Sequence, residues 1–229
     1  NNNSFFYPSV TLAGTISDFV TFPRAIDFVK VRGGWSQVSD GRISSNPYSH
    51  IQAYSPGINW GGSPSLVFPS ALINPNVQPE TSDSFEFGLD TRFFGGKLGL
   101  DLTYFQIRDF NNLISVPVSQ ASGYTSRLEN GAEFTRKGWE LMLNANPISK
   151  TDFNWNVALN LSTYKRVLTE SFDGSDRFGN IQVGERTDQL FSNSQYQRTP
   201  EGRLILGQNG FPVRDPYQRM MGFQNPDYI

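Results

Sequence analysis

Charged side chains at alternate positions are the residues of this sequence best placed to do chemistry. They recur in several short segments that are otherwise apolar: Lys30, Arg32, Glu86, Asp90, Arg92, Asp101 and Glu140. On a β-strand, residues two apart point to the same face, so each segment would carry its charges on one surface. Such a surface can bind a polar solute, or its opposite charges can satisfy one another across strands.

Enzymatic and metal chemistry find no support in the residue types. The sequence has one histidine, His50, and no cysteine, which excludes a histidine-based triad, a histidine-pair metal site and a thiolate site within one copy. Asp173, Gly174, Ser175 and Asp176 resemble the start of a calcium loop, but the remaining ligand spacing and the closing glutamate are missing. No spacing selects a carboxylate pair from the 21 acidic residues. We therefore predict a protein that is not an enzyme and has no cofactor.

A second group of candidates lies in the segments between the alternating stretches. These segments combine tyrosine, tryptophan and arginine, residue types that are enriched at protein interfaces. We predict that the following residues contact a partner or a ligand: Tyr48, Tyr54, Trp60, Tyr196, Arg198, Phe211, Arg214 and Tyr217.

Composition excludes several classes of protein. Aromatic residues make up 14% of the 229 residues and the formal charge is only −2, whereas disordered chains have few aromatics and a high net charge. Lys and Arg number 19 against 21 Asp and Glu, so the basic surface of a nucleic-acid-binding protein is missing. No apolar run approaches the roughly 18 residues of a membrane helix.

Alternation of apolar and polar residues predicts six antiparallel β-strands. We place them near residues 6–16, 27–38, 81–94, 98–107, 131–145 and 153–165. Gly95 and Gly96 can adopt the positive φ angles of a tight hairpin turn. A turn there sets Asp90 opposite Asp101, with Phe93 opposite Leu98 and Phe87 opposite Tyr104. Because facing carboxylates repel, we expect Arg92, which is diagonal to Asp101, to contact it or to share a water network with it in a structural role.

The connections between these strands alternate between short and long. The long ones cover residues near 39–80, 108–128 and 166–229, and all of them fall at the same end of the strands. Outer-membrane β-barrels combine short turns at one end with long loops at the other. We therefore predict an all-β chain that forms part of a transmembrane barrel, with the apolar face toward lipid and the charged face toward the lumen. The alternative is a secreted carbohydrate-binding β-sandwich, whose core also alternates.

Several segments, taken together in their order and spacing, resemble the barrel of the SusC/RagA family of TonB-dependent outer-membrane transporters. They are residues 5–12 (FFYPSVTL), 26–38 (IDFVKVRGGWSQV), 74–80 (NPNVQPE), 84–104 (SFEFGLDTRFFGGKLGLDLTY), 130–143 (NGAEFTRKGWELML) and 153–161 (FNWNVALNL). Short tail motifs add to the resemblance at residues 183–185 (VGE), 201–202 (EG) and 225–228 (NPDY).

The resemblance implies an antiparallel barrel of about 22 strands closed by a plug domain. It also implies import of a glycan or peptide, a SusD-like surface lipoprotein as a lid, and energy from the TonB complex through the plug. A siderophore or cobalamin importer of the same fold is the alternative. Residues 1–229 contain no plug, so we expect an internal fragment of the barrel domain of a Gram-negative outer-membrane protein. Its loops would be extracellular, and residues 168–229 would carry more of the partner-facing surface than any other segment of the chain. The alternative is a self-packed loop that only shapes the barrel mouth.

Two roles remain open for the lumen-facing charges under this resemblance. They could form part of the path of an oligosaccharide or oligopeptide, or they could stabilise the wall and contact the plug. The apolar face would contact outer-membrane lipid, and no nucleic acid is expected as a partner.

Overall fold

A computed structural model describes residues 6–41, 51–192 and 195–229. Thirteen β-strands and three short 3₁₀ helices lie in these ranges. No helix there is long and apolar enough to cross a membrane. The strands are β1 Ser9–Thr15, β2 Ile26–Asp40, β3 Ser55–Pro56, β4 Leu66–Val67, β5 Ala71–Ile73, β6 Glu80–Phe93, β7 Leu98–Pro117, β8 Ser126–Ser149, β9 Asn154–Glu170, β10 Arg177–Phe178, β11 Ile181–Gln182, β12 Gln189–Ser192 and β13 Arg219–Phe223. The helices are Ile16–Asp18, Gln120–Ser122 and Phe172–Gly174.

The six long strands form one antiparallel sheet in the order β1, β2, β6, β7, β8 and β9. They correspond to the six predicted strands, and the all-β prediction is confirmed. β1 is shorter than predicted, whereas β2, β7, β8 and β9 are longer because their pairing continues into stretches with the composition of polar loops. The largest differences are in β7 and β8, which replace most of the predicted loop near 108–128 with a longer hairpin.

An irregularity in the β7–β8 ladder explains why the sequence hides that extension. The register shifts between Asp109 and Asn112, and Asn111 adopts a left-handed conformation with φ 56°. A bulge of this kind breaks the period of two. Beyond it the ladder resumes from Leu113 to Pro117 against residues 126–130.

The predicted register of the β6–β7 hairpin is confirmed. Asp90 lies opposite Asp101, Phe93 opposite Leu98 and Phe87 opposite Tyr104. The connection is nevertheless four residues long (94–97) rather than two. Its first and last residues, Phe94 and Lys97, do not bond to each other but to residues outside the hairpin. The Phe94 N–H donates to the Ala25 carbonyl at 3.0 Å, and the Asn146 N–H donates to the Lys97 carbonyl at 2.7 Å.

The apolar side chains of the long strands share one face of the sheet. Leu89, Leu102, Leu141 and Leu161 lie directly opposite one another across four strands. The same face carries the remaining residues that we predicted to point toward lipid: Phe87, Leu100, Val157 and Leu159. Since none of these residues has a second apolar layer over it within the sheet, the face is an open apolar surface.

A small hydrophobic core lies where the far ends of β7, β8 and β9 meet the segment that follows β9. Leu168 is completely buried there, beside Ile114, Ala132 and Phe134. Phe172, Phe178 and Ile181 pack against this cluster from the helix Phe172–Gly174 and the β10–β11 hairpin. The segment after β9 is therefore folded back onto the wall.

The outer edge of β9 is partly paired. Gly184 donates to the Leu168 carbonyl at 2.8 Å and Leu168 donates to the Glu185 carbonyl at 3.0 Å. Further along, Ser162 and Ile229 exchange two backbone hydrogen bonds of 2.8 Å. The segment after β9 therefore returns twice to the same strand.

Candidate functional site: the charged wall

Arg32 organises the charged face of the sheet. Its guanidinium donates to both carboxylate oxygens of Asp101 at 2.9 Å and to the Thr103 hydroxyl at 2.6 Å. Its Nε lies 3.8 Å from a carboxylate oxygen of Glu86. These contacts join β2, β6 and β7, so the bidentate pair fixes the Arg32 side chain across the sheet.

A glycine in the intervening strand makes this crossing possible. Arg32 lies opposite Gly88, and Gly88 lies opposite Thr103. A Cβ added at Gly88 would lie 2.4 Å from Arg32 Nε and 2.6 Å from its Cζ. Arg32 therefore reaches the second strand away because the first strand has no side chain at that position.

The predicted direct contact between Arg92 and Asp101 is wrong. Arg92 lies over the ring of Phe28, with its Cζ 5.2 Å from the ring centroid, and Arg32 forms the contact that we assigned to Arg92. Sequence reasoning considered only the diagonal neighbours within one hairpin. The glycine that opens the route from β2 can be recognised only once the pairing of three strands is known.

The other predicted wall residues share the face of Arg32. Lys30 lies opposite Asp90, and Glu140 lies opposite Thr103. A cleft beside the Arg32–Asp101 pair is lined by Glu140, Met142 and Asn160, and also by Ile229. The seven candidates thus form one polar surface spread over four strands, and their place in a substrate path stays a prediction.

Filling the space above Gly88 should separate Arg32 from Asp101. We expect Gly88→Val to weaken the barrel by about 1 kcal/mol, the usual net worth of a hydrogen-bonded contact, since both partners are partly exposed and water screens their charges. Unfolding of the full-length protein in denaturant measures the change. Gly33→Val is the control, because the only atom near its added Cβ is the Glu86 carbonyl oxygen at 3.8 Å. Equal midpoints for the two variants would contradict the prediction.

The two described loop candidates between β2 and β6, Tyr54 and Trp60, have different surroundings. Tyr48 lies outside the described residues. Tyr54 packs edge-on against Phe68, with ring centroids 5.6 Å apart, and Phe68 packs against Tyr124. Trp60 is 87% exposed in a turn closed by Ser63. Trp60 is thus the more exposed of the two described candidates, since Tyr54 is 62% exposed.

The candidates after β12 belong to three short segments that bond to one another. The Gln197 N–H donates to the Val213 carbonyl, the Val213 N–H to the Ile205 carbonyl, and the Ile205 N–H to the Gln197 carbonyl, at 2.9 to 3.0 Å. Tyr196 and Arg214 lie opposite each other on this triangle. Because the backbone is internally bonded, the exposed side chains on it are held on a defined base. They include Tyr196, Arg198, Leu206, Phe211, Arg214 and Tyr217.

Sequence reasoning missed the ion-pair cluster around Arg186. Its guanidinium donates to both oxygens of Asp188 at 2.9 and 2.7 Å and to Asp227 at 2.5 Å, and it lies 3.9 Å from the ring centroid of Phe223. These contacts raise the Arg186 pKa and hold the Asp188 pKa below its usual range. Asp227 belongs to a quoted tail motif, but nothing in the spacing predicts its pairing across 41 residues.

Removing Arg186 should open the segment after β9. We expect Arg186→Met to remove the charged partner of Asp188, which keeps only a longer hydrogen bond from the Asn225 N–H at 3.3 Å among those described. The loss should cost about 1–3 kcal/mol of local stability, as for a hydrogen bond to a charged group. Limited proteolysis should then cut residues 171–229 about five- to a hundredfold faster. Arg198→Met, which removes one hydrogen bond to the Gly202 carbonyl, should change the cleavage rate far less.

The Arg186 cluster should also make the stability of the segment after β9 depend on pH. Since the folded pKa of Asp188 is depressed, its stabilisation is complete above the unfolded value of about 3.9 and is lost as the pH falls through the lower folded value. Cleavage by an acid-stable protease should accelerate below about pH 4 in the unaltered protein and show a weaker pH dependence in Arg186→Met. Parallel pH profiles would contradict this role.

Comparison with known proteins identifies the sheet. The family described as TonB dependent receptor-like, beta-barrel, matches residues 1–224. The chain belongs to this family. TonB-dependent receptors are outer-membrane transporters, which agrees with a sheet that is apolar on one face and charged on the other.

Curated TonB-dependent receptors match nearly the whole chain. TonB-dependent receptor P3 of Formosa agariphila is 28% identical over 95% of the chain. TonB-dependent receptor SusC of Bacteroides thetaiotaomicron is 22% identical over 92% of it. In each case the chain spans 22% of the relative's length. The SusC-like resemblance is thus confirmed, and the chain corresponds to about a fifth of such a receptor.

Solved structures share the fold. The RagAB peptide importer in its "open-open" state matches the whole chain with a TM-score of 0.75 at 18% identity, and 26% of that chain is covered. The "closed-closed" state matches 97% of the chain with a TM-score of 0.71. The six-stranded sheet is therefore a portion of a TonB-dependent receptor barrel, and the β-sandwich alternative is excluded.

Proposed function

We propose that this chain forms part of the wall and outer loops of a TonB-energised outer-membrane importer of glycans or peptides. The observation that carries the proposal is a single sheet with an open apolar face, a continuous charged face, and long connections at one end only. In the proposed orientation the apolar face contacts lipid, Arg32 and its neighbours face the lumen, and the long connections are extracellular. The similarity to the RagAB peptide importer supports a peptide as one class of cargo.

A SusD-like surface lipoprotein is the proposed lid. The segment after β9 supports this partner because it offers a large outer surface on an internally bonded base. Phe211 and Tyr217 are 70% and 76% exposed there, and Arg203 and Arg214 have no side-chain partner among the described residues. Exposed aromatic and arginine side chains are typical of the centre of an interface.

Deletion of residues 187–212 from the full-length transporter tests the lid surface. We expect the barrel to insert normally, the lipoprotein to be lost on co-purification, and uptake of labelled glycan or peptide to fall. Removal of residues 119–123, at the tip of the β7–β8 hairpin and without any of the predicted partner residues, is the control. If the barrel inserts while lipoprotein binding and uptake stay unchanged, the partner surface lies elsewhere.

Energisation is tested separately. Uptake by the unaltered transporter should stop when the proton gradient is collapsed, because a TonB-energised step draws on that gradient. Uptake that persists at the same rate would indicate a passive pore and contradict active import.

A further inference from the structure

Two lysines interrupt the apolar face of the sheet near the end that carries the long connections. Lys137 of β8 lies directly opposite Lys165 of β9, and Gln106 of β7 lies opposite Lys137. On the same level, β2 and β6 carry Trp35 and Phe85. The face therefore changes from aromatic to cationic along one level of the sheet.

Nothing in the described part of the chain neutralises these two charges. Both lysines are exposed, and neither side chain forms a hydrogen bond or an ion pair with any described residue. Glu133, the nearest acid along β8 on that face, is held by Arg108 at 2.5 Å and by the Thr169 hydroxyl at 3.1 Å. Like charges directly opposite each other destabilise a sheet. An anion between the two lysines would therefore relieve their mutual repulsion and stabilise the sheet.

The neighbouring residues place the lysines at the level of lipid headgroups. Two residues toward the middle of the sheet, Tyr104 and Trp139 pack with ring centroids 4.9 Å apart, and the Tyr104 hydroxyl donates to Gln106 at 3.1 Å. Paired aromatics of this kind form the girdle at the membrane interface. Beyond them lie the aliphatic positions Leu102, Leu141 and Leu161.

Strand tilt explains why the lysines occur only on β8 and β9. Barrel strands tilt by about 35–45° relative to the barrel axis. Residues that lie opposite one another on successive strands therefore lie at successively different depths in the membrane. The aromatic residues of β2 and β6 fit a position nearer the hydrocarbon, and the lysines of β8 and β9 fit a position in the headgroup layer.

We propose that Lys137 and Lys165, with the Gln106 side-chain amide beside them, bind the phosphate group of a phosphorylated lipid in the outer leaflet. Each ammonium offers three donors to the phosphate oxygens, and the aliphatic positions below accommodate the acyl chains. The proposal rests on the orientation given under the proposed function, with the long connections outside.

Lipid retention by the purified full-length transporter tests the site. Native mass spectrometry would compare three probes: a phosphorylated lipid A, the same glycolipid without phosphate, and inorganic phosphate. The test variant is Lys137→Gln with Lys165→Gln, and the control variant is Lys97→Gln with Lys150→Gln, whose lysines lie in short connections at the other end.

We expect the test variant to retain about tenfold less phosphorylated lipid than the unaltered protein, as follows from losing two charge-assisted contacts. The control variant should retain as much as the unaltered protein, and the lipid without phosphate should be retained weakly by all three. Equal retention of phosphorylated lipid by test and control variants would overturn the site. Inorganic phosphate that binds as tightly as the lipid would overturn the assignment to a lipid headgroup.

A labelling experiment separates failure of this site from failure of the proposed orientation. The chain has no cysteine, so Lys137→Cys and Asp152→Cys each introduce one thiol into it. In intact cells a membrane-impermeant maleimide should label the first and not the second. The reverse pattern would overturn the orientation and the headgroup site with it, whereas the expected pattern with unchanged lipid retention would overturn the site alone.

Discussion

Replacing Leu102 with arginine is expected to destabilise the barrel by about 2–4 kcal/mol, the cost of a cation on the lipid-facing surface near the bilayer midplane. Leu102 lies in the aliphatic centre of the apolar face, between Leu89 and Leu141. Urea unfolding of the full-length protein in lipid vesicles measures the difference in free energy.

The matched control for this substitution is Met142→Arg. Met142 follows Leu141 in β8 but lies on the charged face, opposite Asp101. We expect it to change the unfolding free energy by less than about 1 kcal/mol, since an exposed ion pair contributes little. Similar losses at the two positions would mean that the apolar face is not the one in contact with lipid.

Gly138→Ala is expected to be the most damaging single-methyl substitution in the wall. A Cβ at this position would lie 2.1 Å from the Thr163 carbonyl oxygen and 2.9 Å from both Phe105 Cζ and Tyr164 Cβ. The nearest atom belongs to the backbone of β9, so β8 and β9 would have to separate locally. Overpacking of this kind costs about 1–3 kcal/mol.

Gly99→Ala separates the steric effect from any general effect of losing a glycine. Gly99 lies in β7, and the only atom near its added Cβ is the Asn144 carbonyl oxygen at 3.9 Å. Heat-induced loss of the folded band in cold SDS gels, a standard assay for barrels, would compare the two. We expect a lower transition temperature for Gly138→Ala alone, and equal transitions would contradict the steric explanation.

Period-two alternation predicted the strands and their faces because each long strand is exposed to different surroundings on its two sides. The register of the β6–β7 hairpin was also predictable, since Gly95 and Gly96 mark its turn and one fixed pair determines all the others. The alternation also assigns Arg32 and Asp101 to the same polar face of the sheet.

The pairing within that surface could not be predicted from the same information. Arg32 reaches Asp101 by crossing Gly88. This contact requires three strands to be paired, and its two residues are 69 positions apart in the sequence. The Arg186 cluster depends likewise on a tail that returns from Asp227. The bulge at Asn111 hid the upper hairpin for a different reason, because a local change of period resembles the end of a strand.

The pairing of β5 indicates the order in which parts of the chain fold. β5 pairs in parallel with residues 126–128 of β8, and Gln78 and Asn130 are joined by two hydrogen bonds nearby. Hairpins between neighbouring strands close short loops and form early, whereas contacts between distant residues form late. The connection that precedes β6 can therefore settle only after β7 and β8, which the chain makes later, have already paired. During insertion this connection must stay undocked while the two following strands assemble. A slow final phase of hydrogen-exchange protection should therefore be detectable at the Asn74 amide, which donates to the Leu128 carbonyl, after the barrel wall is complete.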